Sequence, residues 1–210
     1  MASDRETYVL RTTLTSPFGR KVRMAAGVLG LTDRIRFEPA NTLDEGDSLR
    51  QQNPLGKMPC LLLAEGTAIY DSRVIIEFLQ EVAGVERLFA TRGLPRYRAL
   101  TRAALADGIT EAALLMVYEG RFRDPGAHSE RWLAHQRGKV PRGLAEFERA
   151  PPDAAITDIV SIGLACALGY LDWRRPVPWR DEHPKLLAWL NAFTAHEPMV
   201  GATQHNEANA

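Results

Sequence analysis

The period of apolar and polar positions changes repeatedly along the first third of the chain. Tyr8 to Thr13 mixes aromatic and β-branched residues and predicts a short strand. Val22, Ala25, Ala26 and Leu29 recur at i, i+3, i+4, i+7 and predict an amphipathic helix. Ile35-Arg36-Phe37 with its flanks predicts a second strand. The polar stretch Asn41 to Asn53, with Gly46 inside it, predicts a loop carrying a short helix. After the turn Asn53–Pro59 comes the apolar run Cys60–Leu63, a third strand. Glu65-Gly66-Thr67 has hairpin-turn chemistry, and Ala68-Ile69-Tyr70 is the return strand. Asp71-Ser72 opens a helix whose apolar face is Ile75, Phe78, Leu79 and Val82. The resulting order, β-α-β-α-β-β-α, predicts a mixed sheet covered by helices.

Beyond Pro95 the alternating pattern stops. Tyr97, Leu100, Ala104, Gly108, Ile109 and Leu115 trace one side of a long helix, which Asp124-Pro125-Gly126 breaks. Ser129 to about Arg149 predicts another helix, marked by Trp132, His135, Leu144 and Phe147, with a kink or break at Pro141. Ile159 to Leu171 is apolar on nearly every side and predicts a buried central helix. Leu186, Trp189, Leu190 and Phe193 predict a last amphipathic helix, and the small polar tail from about Gly201 is expected to fray. The domains are read as an α/β unit over 1–84, a linker over 85–94, and an all-helical unit over 95–210.

Composition narrows the function classes. Lys+Arg and Asp+Glu both number 26, so no net charge favours nucleic acid or an anionic membrane. The longest apolar run, Ile159 to Leu171, is shorter than the roughly 20 residues that a bilayer span needs. The first residues show no basic-then-apolar leader pattern. Cys60 and Cys166 lie far apart in apolar runs and read as buried reduced thiols, which fits the cytoplasm. The histidines form no metal motif; His128 and His135 are placed on a solvated helix face.

Candidate chemistry begins at Thr15-Ser16-Pro17-Phe18. Proline suits the first helical position, because its missing N–H has no intrahelical partner there. Ser16 is therefore the expected N-cap. A plain cap is one reading; an anion or thiolate site at the positive end of the helix dipole is the other.

Four segments together extend this. Ser16-Pro17-Phe18, Asn53-Pro54-Leu55-Gly56-Lys57-Met58-Pro59, Asp71-Ser72 and Ile156-Thr157-Asp158 follow in an order that resembles the soluble glutathione transferases over nearly the whole chain. Ser16–Arg23 taken with Ala106-Asp107-Gly108-Ile109 and Ala165–Leu171 resembles a bacterial subgroup with serine at the active-site turn. The resemblance implies a thioredoxin-like α/β domain of order βαβαββα followed by an all-α helical domain. It also implies a homodimeric enzyme of detoxification that activates the thiol of reduced glutathione for attack on a small hydrophobic electrophile, without a metal.

The same resemblance assigns roles. Ser16 donates its hydroxyl to the glutathione sulfur, with Thr15 as the rival. Phe18 borders the apolar pocket. Pro59 follows a cis peptide, which an X–Pro bond reaches at a cost of about 0.5–1 kcal/mol. The N–H and C=O of Met58 then pair with the cysteinyl part of glutathione. Ser72 holds the γ-glutamyl carboxylate and Asp71 the ammonium, although Asp71 also reads as a helix cap. Lys57 meets the glycyl end or is a solvated turn lysine. Arg20, Lys21 and Arg23 read as a solvated helix face, and Asp107 as a buried, hydrogen-bonded acid. Ala155 stands where the family has the Ser or Thr that caps its central helix, so that cap is expected to be lost unless Asp153 or Thr157 replaces it, at about 1 kcal/mol. Two alternatives stay open: a non-enzymatic interaction module, and a glutathione-dependent peroxidase or reductase.

Overall fold

A computed structural model describes residues 6–124 and 126–204. The chain divides into two compact units. One runs to Leu88 and is joined by the residues from Ala202; the other spans Phe89–Gly201.

In the first unit, β1 (Tyr8–Thr12) leads to α1 (Pro17–Val28) and β2 (Ile35–Pro39). Next come the single-turn helix α2 (Leu49–Gln52), then β3 (Cys60–Leu62), β4 (Ala68–Ile69) and α3 (Ser72–Ala83). The sheet order is β2-β1-β3-β4. β1 runs parallel to β2 and antiparallel to β3, and β4 returns antiparallel to β3. The carboxyl ends of β1, β2 and β4 and the amino end of β3 therefore lie on one edge of the sheet. That edge carries the Thr13–Ser16 turn, the 40–48 loop, the Lys57–Pro59 turn and the start of α3.

The two sheet faces are unequal. Tyr8 and Leu10 are buried on the face covered by α1 and α3, with Val22, Ala25, Ile75, Ile76 and Leu79, and the Tyr8 ring meets Phe78 edge-on. Phe78 and Val82 are half-buried, and Ile76 takes up the apolar face in their place. The other face holds a small cluster of Ala40, Leu49 and Cys60, against which Met58, Leu62 and Ala68 pack. Arg20 and Lys21, expected in solvent, are buried on α1. Arg20 Nε donates to Thr203 Oγ1 at 3.4 Å, and Thr203 is itself buried. Thr203 is thus packed, with Gly201, Ala202 and Gln204 beside it exposed; a local pattern cannot reveal that a distant segment will cover a charged helix face. Residues 205–210 lie outside the described residues.

The second unit consists of α4 (Gly93–Phe122), α5 (Glu130–Arg137), α6 (Lys139–Arg149), α7 (Ile159–Arg174), α8 (Pro184–His196) and α9 (Pro198–Ala202). α7 is buried along almost its whole length, and Leu186, Trp189, Leu190 and Phe193 of α8 are all buried. The packed face of α4 differs from the predicted one. Ala103, Ala106, Asp107, Thr110 and Ala113 face the core with Ile109, whereas Tyr97 is 64% exposed. Small residues win this face because they let helices approach closely. On α6, Gly143 leaves no room for a Cβ, which would sit 2.6 Å from Ile109 Cγ1. The helix predicted over 129–149 breaks at Gly138. Pro141 sits in the first turn of α6, where its missing N–H costs nothing.

The cap of α7 is also a correction. Asp158 is itself the N-cap and accepts from Val160 N and Ser161 N, while Ser161 Oγ accepts from Asp158 N at 2.8 Å. The box is complete with the acid at the cap and the hydroxyl three residues on. Asp153 Oδ1 accepts from Ala155 N instead, and Thr157 Oγ1 donates to Glu197. Asp158→Ala should cost about 1–2 kcal/mol. Chemical denaturation measures this, and an unchanged midpoint would mean that burial of α7 alone holds its first turn.

Candidate functional site

Ser16 has extended backbone angles, and its Oγ accepts from Gly19 N at 3.0 Å. Pro17 occupies N1 as the sequence predicts, and half-buried Phe18 follows at N2. A hydroxyl carries one proton and two lone pairs. The cap uses one lone pair and leaves the Ser16 proton available to another acceptor.

Thr15 is differently engaged. Its Oγ1 lies 2.9 Å from Thr13 Oγ1, which donates to Met58 Sδ at 3.5 Å. With the Thr13 proton on the thioether, the Thr15 proton is spent on Thr13. This chain also ties the Ser16 turn to the Met58 turn. Thr13 gave no sequence signal beyond being one of several hydroxyls in the segment.

The Met58–Pro59 peptide is cis, as expected, and the Tyr70–Asp71 peptide is cis as well. Pro59 is buried, Met58 half-buried and Lys57 exposed. The side chain of Met58 packs toward Ala40, Leu49 and Cys60. Its backbone N–H and C=O have no partner among the described residues. The turn before it is closed by Asn53, whose Nδ2 donates to the Lys57 carbonyl at 2.8 Å while its Oδ1 accepts from Leu55 N at 3.1 Å. An Asn ahead of Pro-Leu-Gly is the kind of signal that could have marked it.

Asp71 is the N-cap of α3, with Oδ1 accepting from Arg73 N at 2.9 Å. Ser72 is buried at N1. The Ser72 and Val74 N–H groups of this first turn have no acceptor among the described residues. They form a ready donor pair at the positive end of a twelve-residue helix. Oδ2 of Asp71 remains for a cation.

Arg11 is the charged residue at this edge that the sequence reading passed over, although an arginine inside an apolar strand is itself a signal. It is 3% exposed. Its guanidinium meets Ser48, Gln52, Asp47, the Pro39 carbonyl and Glu38. Hydrogen bonds from Asn41 N and Leu49 N, and the Arg11 guanidinium beside them, hold the Asp47 carboxyl below the usual carboxylate range, against the opposing effect of burial. A carboxyl lowered in the folded state contributes stability above its unfolded value, near 3.9, and that contribution disappears as pH falls through its folded value. Asp47→Asn should therefore flatten the acid limb of the stability–pH curve below about pH 4. Parallel acid limbs for variant and wild type in denaturation at several pH values would refute this.

Both cysteines are buried, and burial pushes the Cys60 thiol up to about 11, with Arg11 opposing. Asp107 is buried on α4. No cluster of His, Cys, Asp and Glu suited to a metal ion occurs among the described residues, and no helix among them is long and apolar enough to cross a membrane.

Comparison with known proteins bears on this geometry. Residues 15–82 match the family model of the glutathione S-transferase N-terminal domain. The chain is 37% identical to the uncharacterized GST-like protein YibF of Escherichia coli K12, across 87% of this chain and 92% of that one. The chain belongs to the glutathione transferase family. A crystal structure of a glutathione transferase family member from Pseudomonas fluorescens Pf-5 with bound glutathione is similar at 39% identity. Its TM-score is 0.89, covering 95% of this chain and all of that one. A second structure from the same source, with bound S-(propanoic acid)-glutathione, matches at 38% identity and TM-score 0.85 over the same shares. The first unit is accordingly the thioredoxin-like half of a glutathione transferase fold, and the second is its all-helical half. The cis-proline turn and the acidic-Ser pair at the start of α3 lie within the segment matched by the family model.

Proposed function

We propose that this chain is a glutathione transferase enzyme of a serine type. The observation that carries the reading is the shared sheet edge. It presents a Ser16 hydroxyl with its proton unspent, the unpaired N–H and C=O of Met58, and two first-turn N–H groups of α3. Each matches a different part of a γ-glutamyl tripeptide: sulfur, central peptide and terminal carboxylate.

Deprotonated at sulfur, glutathione supplies the nucleophile for an electrophilic carbon. Ser16 donates its hydroxyl to that sulfur and favours the thiolate. Met58 holds the central residue strand-like through its backbone. Ser72 receives the γ-glutamyl carboxylate at the start of α3, and Asp71 uses its second oxygen for the ammonium. Lys57 reaches the glycyl end. Phe18 borders the pocket for a small hydrophobic electrophile. Catalysis consists of positioning and a lowered thiol pKa. The relative with a glutathione substituted at sulfur supports transfer to carbon. The burial of both cysteines supports transfer over exchange through a protein thiol. The same reading extends to a cytoplasmic homodimer acting in detoxification, with neither nucleic acid nor membrane as partner.

Calorimetry with reduced glutathione tests the reading directly. Saturable heat is expected, and none at millimolar ligand would overturn it. Turnover of an aromatic halide, set beside cumene hydroperoxide and a mixed disulfide, then separates transferase from peroxidase or reductase.

A further inference from the structure

The loop between β2 and β3 has too little apolar burial to hold itself. Its cluster under the sheet contains only Ala40, Leu49 and Cys60 as buried members. α2 is one turn of four residues, and a single turn cannot repay its own nucleation. What holds it is a guanidinium brought across from β1. Arg11 Nη1 donates to Ser48 Oγ at 2.7 Å and to Gln52 Oε1 at 2.8 Å, which lie four residues apart across α2. Nη2 donates to Asp47 Oδ1 at 2.7 Å and to the Pro39 carbonyl at 3.3 Å, and Nε faces Glu38 Oε1 at 3.5 Å. Asp47 in turn accepts from Asn41 N at 2.6 Å and Leu49 N at 2.7 Å. One side chain thus grips the end of β2, the loop and both ends of α2.

The grip continues toward the site. α2 ends in Asn53, which is 2% exposed. Asn53 closes the following turn through Lys57 O, Leu55 N and Gly56 N. Leu49 of α2 also belongs to the cluster against which the Met58 side chain packs. We propose that Arg11 is a positioning residue for the Lys57–Met58 turn, acting through α2 and Asn53 to set the backbone that pairs with the central residue of glutathione. The inference rests on the glutathione reading above for its ligand. Lysine cannot replace arginine here, because a point charge lacks the fork that reaches Ser48, Gln52 and Asp47 together.

The experiment uses Gln52→Ala with Ser48→Ala, which removes the acceptors of Nη1 on α2 and keeps Arg11, alongside Arg11→Lys. With an aromatic halide as second substrate, KM for glutathione should rise roughly tenfold while kcat and KM for the halide stay within about twofold. Gln52→Glu keeps an acceptor for Nη1 and should retain the wild-type KM. Folded variants with an unchanged glutathione KM, or with kcat falling while both KM values rise together, would overturn the proposal. A ligand-free measurement separates this from failure of the proposed function. Amide hydrogen exchange at Leu55 and Gly56, whose N–H groups are held by Asn53, should quicken in the Ser48→Ala/Gln52→Ala variant. Unchanged exchange there would overturn the positioning role even if glutathione binds. If Arg11→Lys fails to fold, the double variant still decides the matter.

Discussion

Ser16→Ala is expected to lower glutathione-dependent turnover about a hundredfold near neutral pH. The wild-type hydroxyl does two things that alanine cannot. Its lone pair caps α1 through Gly19 N, and its proton, unspent among the described residues, is the one proposed for the glutathione sulfur. Loss of the cap costs stability of about 1 kcal/mol, visible as a small drop in Tm. Loss of the donor acts on chemistry. With less stabilisation of the thiolate, its apparent kinetic pKa rises by about one unit or more, and the pH–rate profile moves to the alkaline side. In the proposed arrangement glutathione binding should survive, because Met58 and the start of α3 would carry it independently of Ser16. Ser16→Thr, which retains the hydroxyl, should keep the wild-type profile. Calorimetry and a pH–rate series together read the effect. An alanine variant whose profile does not move would shift the role to Thr15 or to backbone N–H groups. Thr15 is the weaker candidate because its proton is directed to Thr13.

Gly19→Ala should be the most damaging single methyl in the first unit, at about 3 kcal/mol. A Cβ at Gly19 would stand 2.0 Å from Thr12 Oγ1, 3.0 Å from Thr12 Cβ and 3.2 Å from Ser16 Cβ. Thr12 is fully buried, so its side chain has no open space to retreat into, and its hydroxyl has no partner among the described residues. The end of β1 and the first turn of α1 must then separate. Because Gly19 N is the donor that Ser16 caps, such a shift also displaces the proposed catalytic hydroxyl. Thr12→Ala combined with Gly19→Ala removes the shortest contact and should recover more than half of the lost stability. Denaturation curves of the two variants and their parent measure both effects. A Gly19→Ala protein as stable as wild type would show that α1 and β1 are not held at this spacing.

Much of the first unit was legible because its signals are local. Strand composition marked β1 to β4, turn chemistry marked Gly66 and Pro59, and Ser16-Pro17 and Asp71-Ser72 marked two helix starts through the hydrogen-bonding needs of a first turn. The predicted face of α4 (Tyr97, Leu100, Ala104, Gly108, Ile109 and Leu115) shares only Ile109 with the buried one, where close packing selects Ala103, Ala106, Thr110 and Ala113. Arg20 and Lys21 were placed in solvent because nothing near them in the chain announces the cover over their helix face. The partners of Arg11 lie 27 to 41 residues away, beyond the reach of any local pattern.

By itself the sequence determined which segments become strands and helices, where most of them start, and which family they belong to. The elements follow from side-chain period and backbone hydrogen bonding within a few residues, and the family from the resemblance carried by Ser16-Pro17-Phe18, Asn53–Pro59, Asp71-Ser72 and Ile156-Thr157-Asp158 in that order. The tertiary structure decided that the Ser16, Met58 and Asp71 turns share one edge and that the buried Arg11 bonds to the loop beside it. Strand pairing and burial join residues far apart in the chain, and no local pattern carries that information.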